Sequence, residues 1–186
     1  MLQLVYRFLT TSGISSRPNR LFRGLWVFTL LTATLFYLSG CQEKRPITGK
    51  VPTVALKNFS GETFTLAGDD KEVTLLVFWA TWCQPCLMEV PTLVKLHEKY
   101  KDRDFRVVSI NVDDPEGQKV KSIVRDFGIN YPVLIGNEDV MKQFGGVVAL
   151  PTSFLIGRDG RIREKLQGLM PEEELERLVL LALTPG

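Results

Sequence analysis

Thr74-Leu75-Leu76-Val77-Phe78-Trp79 is an unbroken apolar run, and Trp82-Cys83-Gln84-Pro85-Cys86 follows it almost at once. The run, from about Val73 to Trp79, reads as a central strand covered on both faces. A helical pattern begins at the cysteines, so the two sulfurs stand where a buried strand gives way to a helix. Two cysteines three residues apart on one helical turn have Cα atoms close enough to bridge. A cysteine at a helix N-terminus meets the positive end of the dipole, which favours its thiolate. The thiolate is the form that attacks disulfides. The junction therefore offers a dithiol with one activated sulfur and a partner beside it.

The remaining elements fall into place around this junction. Val51–Leu56 and Glu62–Leu66 flank Ser60-Gly61 and predict a two-stranded N-terminal extension. Gly68-Asp69-Asp70-Lys71 is a turn. The helix after the cysteines spans about Pro85 to Lys99, with Leu87, Val90, Val94 and His97 on one stripe beside Leu93 and Leu96. Pro91 lies inside it and is expected to kink it. Phe105–Val112 predicts a strand. Asp113-Asp114-Pro115 caps a helix whose Val120, Ile123, Val124 and Phe127 share a face, and Gly128 ends it. A short strand follows at Tyr131–Ile135, and a short helix at Val140–Phe144. Gly145-Gly146 is a loop leading towards Pro151. Thr152–Ile156 and Ile162–Leu169 form a hairpin through Arg158-Asp159-Gly160. Pro171 opens the last helix, with Glu172, Glu173 and Glu174 at its positive end and Leu175, Leu178, Val179 and Ala182 facing inward. Strand, helix, strand, helix, hairpin and helix make an α/β domain with a mixed sheet flanked by helices.

Composition narrows the chemistry. Histidine occurs once, at His97, and cysteine three times, at Cys41, Cys83 and Cys86. A four-ligand Cys/His zinc site cannot be assembled from these, and no Cys/His dyad exists without His97. His97 lies more than two turns beyond the cysteines and is read as structural. The net charge of +2 conceals a split: residues 1–40 hold Arg7, Arg17, Arg20 and Arg23 and no acid, leaving 19 basic against 21 acidic residues in 41–186. Nothing here points to a nucleic-acid surface.

The basic N-terminus precedes Leu25–Leu38, 14 apolar residues, which is the length of a signal-peptide core and short of the ~20 needed to span a bilayer. The run ends in Leu38-Ser39-Gly40-Cys41. This resembles the lipobox of bacterial lipoproteins, where the chain is cut before the cysteine and the cysteine is lipidated. The expected organisation is a lipoprotein-type signal peptide at 1–40, a lipidated terminus and polar linker at 41–50, and one domain at 51–186. The domain would then sit outside the cytoplasm on a membrane of the bacterial cell envelope. An uncleaved N-terminal signal anchor is the alternative.

Phe78-Trp79-Ala80-Thr81-Trp82-Cys83-Gln84-Pro85-Cys86 resembles the active-site segment of thioredoxins. Glu89-Val90-Pro91 and Leu150-Pro151-Thr152-Ser153-Phe154-Leu155-Ile156 narrow the likeness to the TlpA/ResA-like membrane-anchored thioredoxins, from about Val51 to Leu183. The resemblance implies a thioredoxin fold and thiol–disulfide oxidoreductase activity. It also implies a reducing role outside the cytoplasm, often in cytochrome c maturation. Cys83 matches the nucleophile, the more exposed sulfur. Cys86 matches the resolving cysteine, and Pro151 a proline that is cis and lies against the disulfide. Glu89 matches an acid that tunes the cysteine pair. Ordinary thioredoxins carry a buried aspartate where Val77 stands here, so Glu89, three residues after Cys86 on the same helical face, is the acid best placed to serve Cys86. The plainer reading of Glu89 is an exposed first-turn acid favoured by the dipole.

Trp82, Gln84, Pro85 and Leu150 are the expected substrate-contacting residues, with backbone beside Pro151 pairing with the substrate as an added strand. The expected partners are a disulfide-containing protein, apocytochrome c among the candidates, and a membrane electron donor. The protein is expected to be a monomer needing no organic cofactor or metal. Two rival readings remain at this point: a peroxiredoxin-like thiol peroxidase, and a metal-binding or adaptor module.

Overall fold

The structure is a computed structural model that describes residues 49–66 and 71–184, all within the unit Arg45–Gly186. The expected signal peptide, Cys41 and most of the expected linker lie outside the described residues, as do Gly68, Asp69 and Asp70 of the expected turn. No helix among the described residues is long and apolar enough to cross a membrane.

All seven residues of the apolar run form a buried strand, β3 (Val73–Trp79). It is the centre of a five-stranded sheet with β4 (Phe105–Asn111), β5 (Val133–Ile135), β6 (Thr152–Ile156) and β7 (Ile162–Gln167), in the order β5-β4-β3-β6-β7. β3, β4 and β5 run parallel, while β6 and β7 are antiparallel additions. β1 (Val54–Lys57) and β2 (Thr63–Leu66) form the separate hairpin expected N-terminal to the sheet. Gly49 and Lys50, the last residues of the expected linker, already lie against the β6–β7 turn. The Gly49 carbonyl accepts from Ile162 N at 3.0 Å, and Lys50 bridges to Arg161.

Alternate residues of each strand supply two cores. Val73, Leu75, Val77 and Trp79 pack with Phe105, Val107, Val133 and Leu155 beneath the helices α1 (Gln84–Tyr100), α2 (Gln118–Asp126) and α4 (Glu172–Leu183). Leu76, Phe78, Val108, Ile110, Leu134 and Phe154 pack on the other face, against the hairpin and the short helix α3 (Glu138–Gln143). Phe78, Phe144 and Phe154 form its aromatic centre, with ring centroids 5.2 to 5.9 Å apart.

Three expectations need correction. The buried face of α1 is Cys86, Glu89, Val90, Leu93, Leu96 and Tyr100, whereas Leu87, Val94 and His97 are half-buried. A hydrophobicity stripe discounts cysteine and glutamate, so it places the face to one side of the true one. Phe127 is not part of α2's inward face: the helix stops at Asp126, and Phe127, the C-cap residue, is exposed. Of the two aspartates expected to cap α2, only Asp114 does so. Its Oδ2 accepts from Lys119 N and Val120 N at 2.8 and 2.9 Å, while Asp113 faces the other way. Helix α1 continues through Pro91, which is exposed.

Candidate dithiol active site

β3 delivers the chain to the helix start through a tight turn in which Cys83 N donates to Ala80 O at 3.1 Å. Cys83 is the N-cap of α1, with extended backbone at φ −83° and ψ 95°. Its Sγ accepts a hydrogen bond from Cys86 N at 3.3 Å, filling the place that a serine or aspartate oxygen takes in an ordinary cap. Pro85 sits in the first turn, where its missing N–H costs nothing. The sulfur therefore meets both the helix dipole and an aimed backbone donor, and each favours its thiolate. Cys83 and Cys86 are joined by a disulfide, with Cα atoms 5.3 Å apart.

Both cysteine residues are only 3% exposed in this oxidised form, so overall burial does not set Cys83 apart from Cys86. Beside them the Trp82 side chain stands out from the domain, 72% exposed. Gln84 and Pro85 are also exposed, and Leu150 is half-buried. Val148 and Ala149 before it are exposed, so apolar surface is open to solvent on the segment leading into Pro151. The Leu150–Pro151 peptide is cis, and Pro151 is buried. The Ala149 carbonyl accepts from Thr152 Oγ1 at 2.7 Å, and the Pro151 carbonyl accepts from Gly168 N at 2.8 Å.

Glu89 lies in the second turn of α1 and is only 1% exposed, so it is not a solvated first-turn acid. Spacing of i, i+3 brings its Cβ within about 5–6 Å of that of Cys86. One carboxyl oxygen, Oε1, accepts from Met170 N at 3.4 Å, and the other, Oε2, has no partner among the described residues. Burial raises its pKa from 4.5 to about 7, opposed only by the Met170 amide. Tyr131 is buried near enough for the Glu89 charge to push the phenol's pKa up, after burial itself. At Val77 the sheet offers no proton carrier. Its in-register neighbours are Ser109 and Ser153, and Ser109 Oγ is buried without a partner.

His97 is structural. Its Nδ1 accepts from Val107 N at 3.2 Å, and its ring packs edge-on against Tyr131 at 6.1 Å. Burial lowers its pKa, which keeps the ring neutral and Nδ1 free to accept. No three His, Cys, Asp or Glu among the described residues converge as a metal site would require.

Sequence reasoning missed the residues that hold the β3–α1 turn. Asp113 Oδ1 accepts from Thr81 N and from Asn111 Nδ2, each at 2.8 Å, and its Oδ2 accepts from Thr81 Oγ1 at 2.6 Å. Thr81 and Asp113 lie 32 positions apart in the chain, and no local pattern links them. The nearest signal was the paired Asp113-Asp114, of which one acid suffices to cap α2.

Residues 47–165 match the AhpC/TSA family. The thiol–disulfide oxidoreductase ResA of Bacillus thuringiensis subsp. konkukian (strain 97-27) is 31% identical over 144 residues, which is 77% of this chain and 82% of that protein.

The chain belongs to the ResA-like thiol–disulfide oxidoreductases.

The thioredoxin-like protein YneN of Bacillus subtilis (strain 168) is 31% identical over 130 residues, 69% of this chain and 75% of YneN. Among solved structures, a thiol:disulfide interchange protein of the thioredoxin family from Chlorobium tepidum TLS superposes with a TM-score of 0.66 at 28% identity, covering 76% of this chain and 99% of that one. The fold is thus that of thioredoxins, and this ResA-like enzyme exchanges disulfides with protein substrates through the Cys83–Cys86 pair. Thioredoxin-like oxidoreductases generally work without a cofactor, because the dithiol itself carries the electrons.

Proposed function

We propose that this ResA-like enzyme is a reductant held at a membrane outside the cytoplasm, with Glu89 as the proton carrier of its dithiol. The observation that carries the chemistry is Glu89 itself. It is a fully buried carboxyl one turn beyond Cys86, with a free oxygen and a pKa of about 7. A base for a thiol at neutral pH needs a pKa near ambient, and an ordinary carboxylate lies far below it.

The reduced enzyme attacks a substrate disulfide with the Cys83 thiolate. One S–S bond forms to Cys83 as the substrate S–S bond breaks, and the first substrate sulfur leaves as a thiolate that takes its proton from water. The Cys86 thiol gives its proton to ionised Glu89 and attacks the Cys83 sulfur. The second substrate thiol leaves, taking up that proton, and the Cys83–Cys86 disulfide remains. Two electrons have passed to the substrate. Exposed Trp82, Gln84 and Pro85, together with the segment before Pro151, form the docking surface. A membrane electron donor restores the dithiol. Leu38-Ser39-Gly40-Cys41 after an apolar run supports lipidation at Cys41 and tethering by more than one acyl chain, as stable anchoring requires. The likeness to ResA-like proteins supports apocytochrome c as the substrate class.

Cys86→Ser tests the scheme by stalling the mixed disulfide on Cys83. Incubated with an oxidised apocytochrome c peptide, the variant should retain the peptide in a bond that dithiothreitol releases. A Cys83→Ser protein that still reduces the peptide would sink the assignment. Rapid peroxide consumption by the Cys86→Ser protein would favour the peroxidase reading instead. Release of the protein from membranes by Cys41→Ala is the expectation for the anchor, and unaltered membrane retention would count against it.

A further inference from the structure

We propose that Asp113 is a positioning residue for the nucleophile, clamping the β3–α1 turn so that Cys83 is presented at the start of α1. The inference rests on the thiol–disulfide exchange already assigned to Cys83 and Cys86, and not on the role of Glu89 or on any substrate.

Both Asp113 oxygens are spent on the residue two before Cys83. Oδ1 takes the Thr81 amide at 2.8 Å and Oδ2 takes the Thr81 hydroxyl at 2.6 Å. Hydrogen bonds to a charged acceptor are about twice as strong as neutral ones, and a paired geometry fixes direction as well as distance. Thr81 N belongs to the first inner residue of the turn closed by Cys83 N and Ala80 O. Pinning that peptide plane sets the turn, and the turn sets where α1 begins.

The carboxylate is itself held. Asn111 Nδ2 donates to Asp113 Oδ1 at 2.8 Å, and Asn111 Oδ1 accepts from the backbone amides of Asp113 and Asp114 at 3.3 and 2.9 Å. Asn111 is buried at the end of β4, in register with Trp79 at the end of β3. Val112 N continues that ladder by donating to Trp79 O at 3.1 Å. The clamp is therefore anchored in the two central strands. Its neighbour Asp114 does a different job, capping α2. Two adjacent aspartates thus serve opposite sides of one loop, which supplies an internal control.

The experiment compares Asp113→Ala, Asp113→Asn and Asp114→Ala in the reduced protein. The rate of disulfide exchange, the Cys83 thiolate titration followed by ultraviolet absorbance, and the melting temperature are measured for each. Asp113→Ala should lose between about tenfold and a hundredfold in exchange rate, the scale of a nucleophile shifted by about an ångström, and its thiol should titrate at higher pH. Asn can keep both contacts, its oxygen accepting from Thr81 N and its amide donating to Thr81 Oγ1, so Asp113→Asn should restore most of the rate. Asp114→Ala should lower the melting temperature and leave exchange intact. An unchanged rate in Asp113→Ala overturns the proposal. So does equal impairment of Asp113→Ala and Asp113→Asn, which would assign the effect to charge. So does an Asp114→Ala rate as low as that of Asp113→Ala, which would assign it to general loosening of the loop. If Asp113→Ala fails to fold, Thr81→Val removes the hydroxyl contact alone and should cost about threefold in rate; a wild-type rate there overturns the clamp.

Discussion

Glu89 and Met170 meet across the edge of the catalytic helix: the Met170 amide donates to Glu89 Oε1 at 3.4 Å, a long bond, and nothing pairs with Oε2. One long hydrogen bond does not offset the loss of water around a carboxylate buried to 1% exposure, so the neutral acid is favoured.

That balance makes stability depend on pH. Below the ordinary value of 4.5 the carboxyl is protonated in folded and unfolded chains alike; between 4.5 and about 7 only the unfolded chain ionises. The unfolded state then binds fewer protons, so stability falls as pH rises through this window, by about 3 kcal/mol in all. The oxidised protein should melt at lower temperature at pH ~8 than at pH ~5. Glu89→Gln should flatten that dependence and slow resolution by Cys86 by about a hundredfold, the lower range for loss of a general base. Melting curves across pH and single-turnover release of a mixed disulfide read the two effects. An undiminished pH slope in Glu89→Gln would contradict the burial argument.

Trp82 presents a different kind of surface. With 72% of its area in water it contributes little to the core, so Trp82→Ala should move stability by no more than about 0.5 kcal/mol. Reduction of a protein disulfide should slow through a raised KM, while reduction of a small disulfide proceeds at the wild-type rate. Steady-state kinetics on both substrate sizes distinguishes docking from chemistry.

His97 should behave in the opposite way. Its Nδ1 satisfies the Val107 amide of β4, and removing it strands a part-buried donor. His97→Ala should therefore cost about 1–3 kcal/mol with exchange by the folded protein unchanged. Acid should have a related effect in the wild type. The lowered pKa means that the unfolded chain takes up the proton first, so this contribution is present above pH 6.5 and lost as pH falls through the folded-state value. Denaturant titration of His97→Ala, paired with an exchange assay, checks both statements.

Gly117 precedes α2 with φ +73°, and a Cβ there would run into the Phe59 ring. Gly117→Ala combines left-handed backbone with a steric clash and should destabilise the domain by about 1–3 kcal/mol. A melting temperature equal to the wild type would show that Phe59 moves aside freely.

How much of this was legible in the residues depended on how locally it was encoded. β3 announced itself through seven consecutive residues, all buried as its apolar run predicts. The α4 stripe was read closely because leucine and valine carry it, with Leu175 and Val179 buried. The face of α1 was misplaced because two of its inward positions are Cys86 and Glu89, which hydrophobic periodicity counts as polar or neutral. Equal burial of the two cysteine residues was invisible, since a residue's exposure depends on what packs over it. Asp113 could not be found at all. Its partner Thr81 becomes a neighbour only when β3 and β4 pair in parallel register.

The helix that carries both sulfurs also carries the buried acid, and this has a mechanical consequence. In a domain whose proton store sits on the sheet, any slip of helix against sheet changes the distance between acid and thiol. Here Cys86 and Glu89 ride on one rigid rod, so their spacing is set by helical pitch, while Cys83 at the N-cap is placed by the β3–α1 turn. The segment from Cys86 to Glu89 is in that sense a portable cassette, to which the surroundings add dryness, the Met170 amide and the turn that presents Cys83.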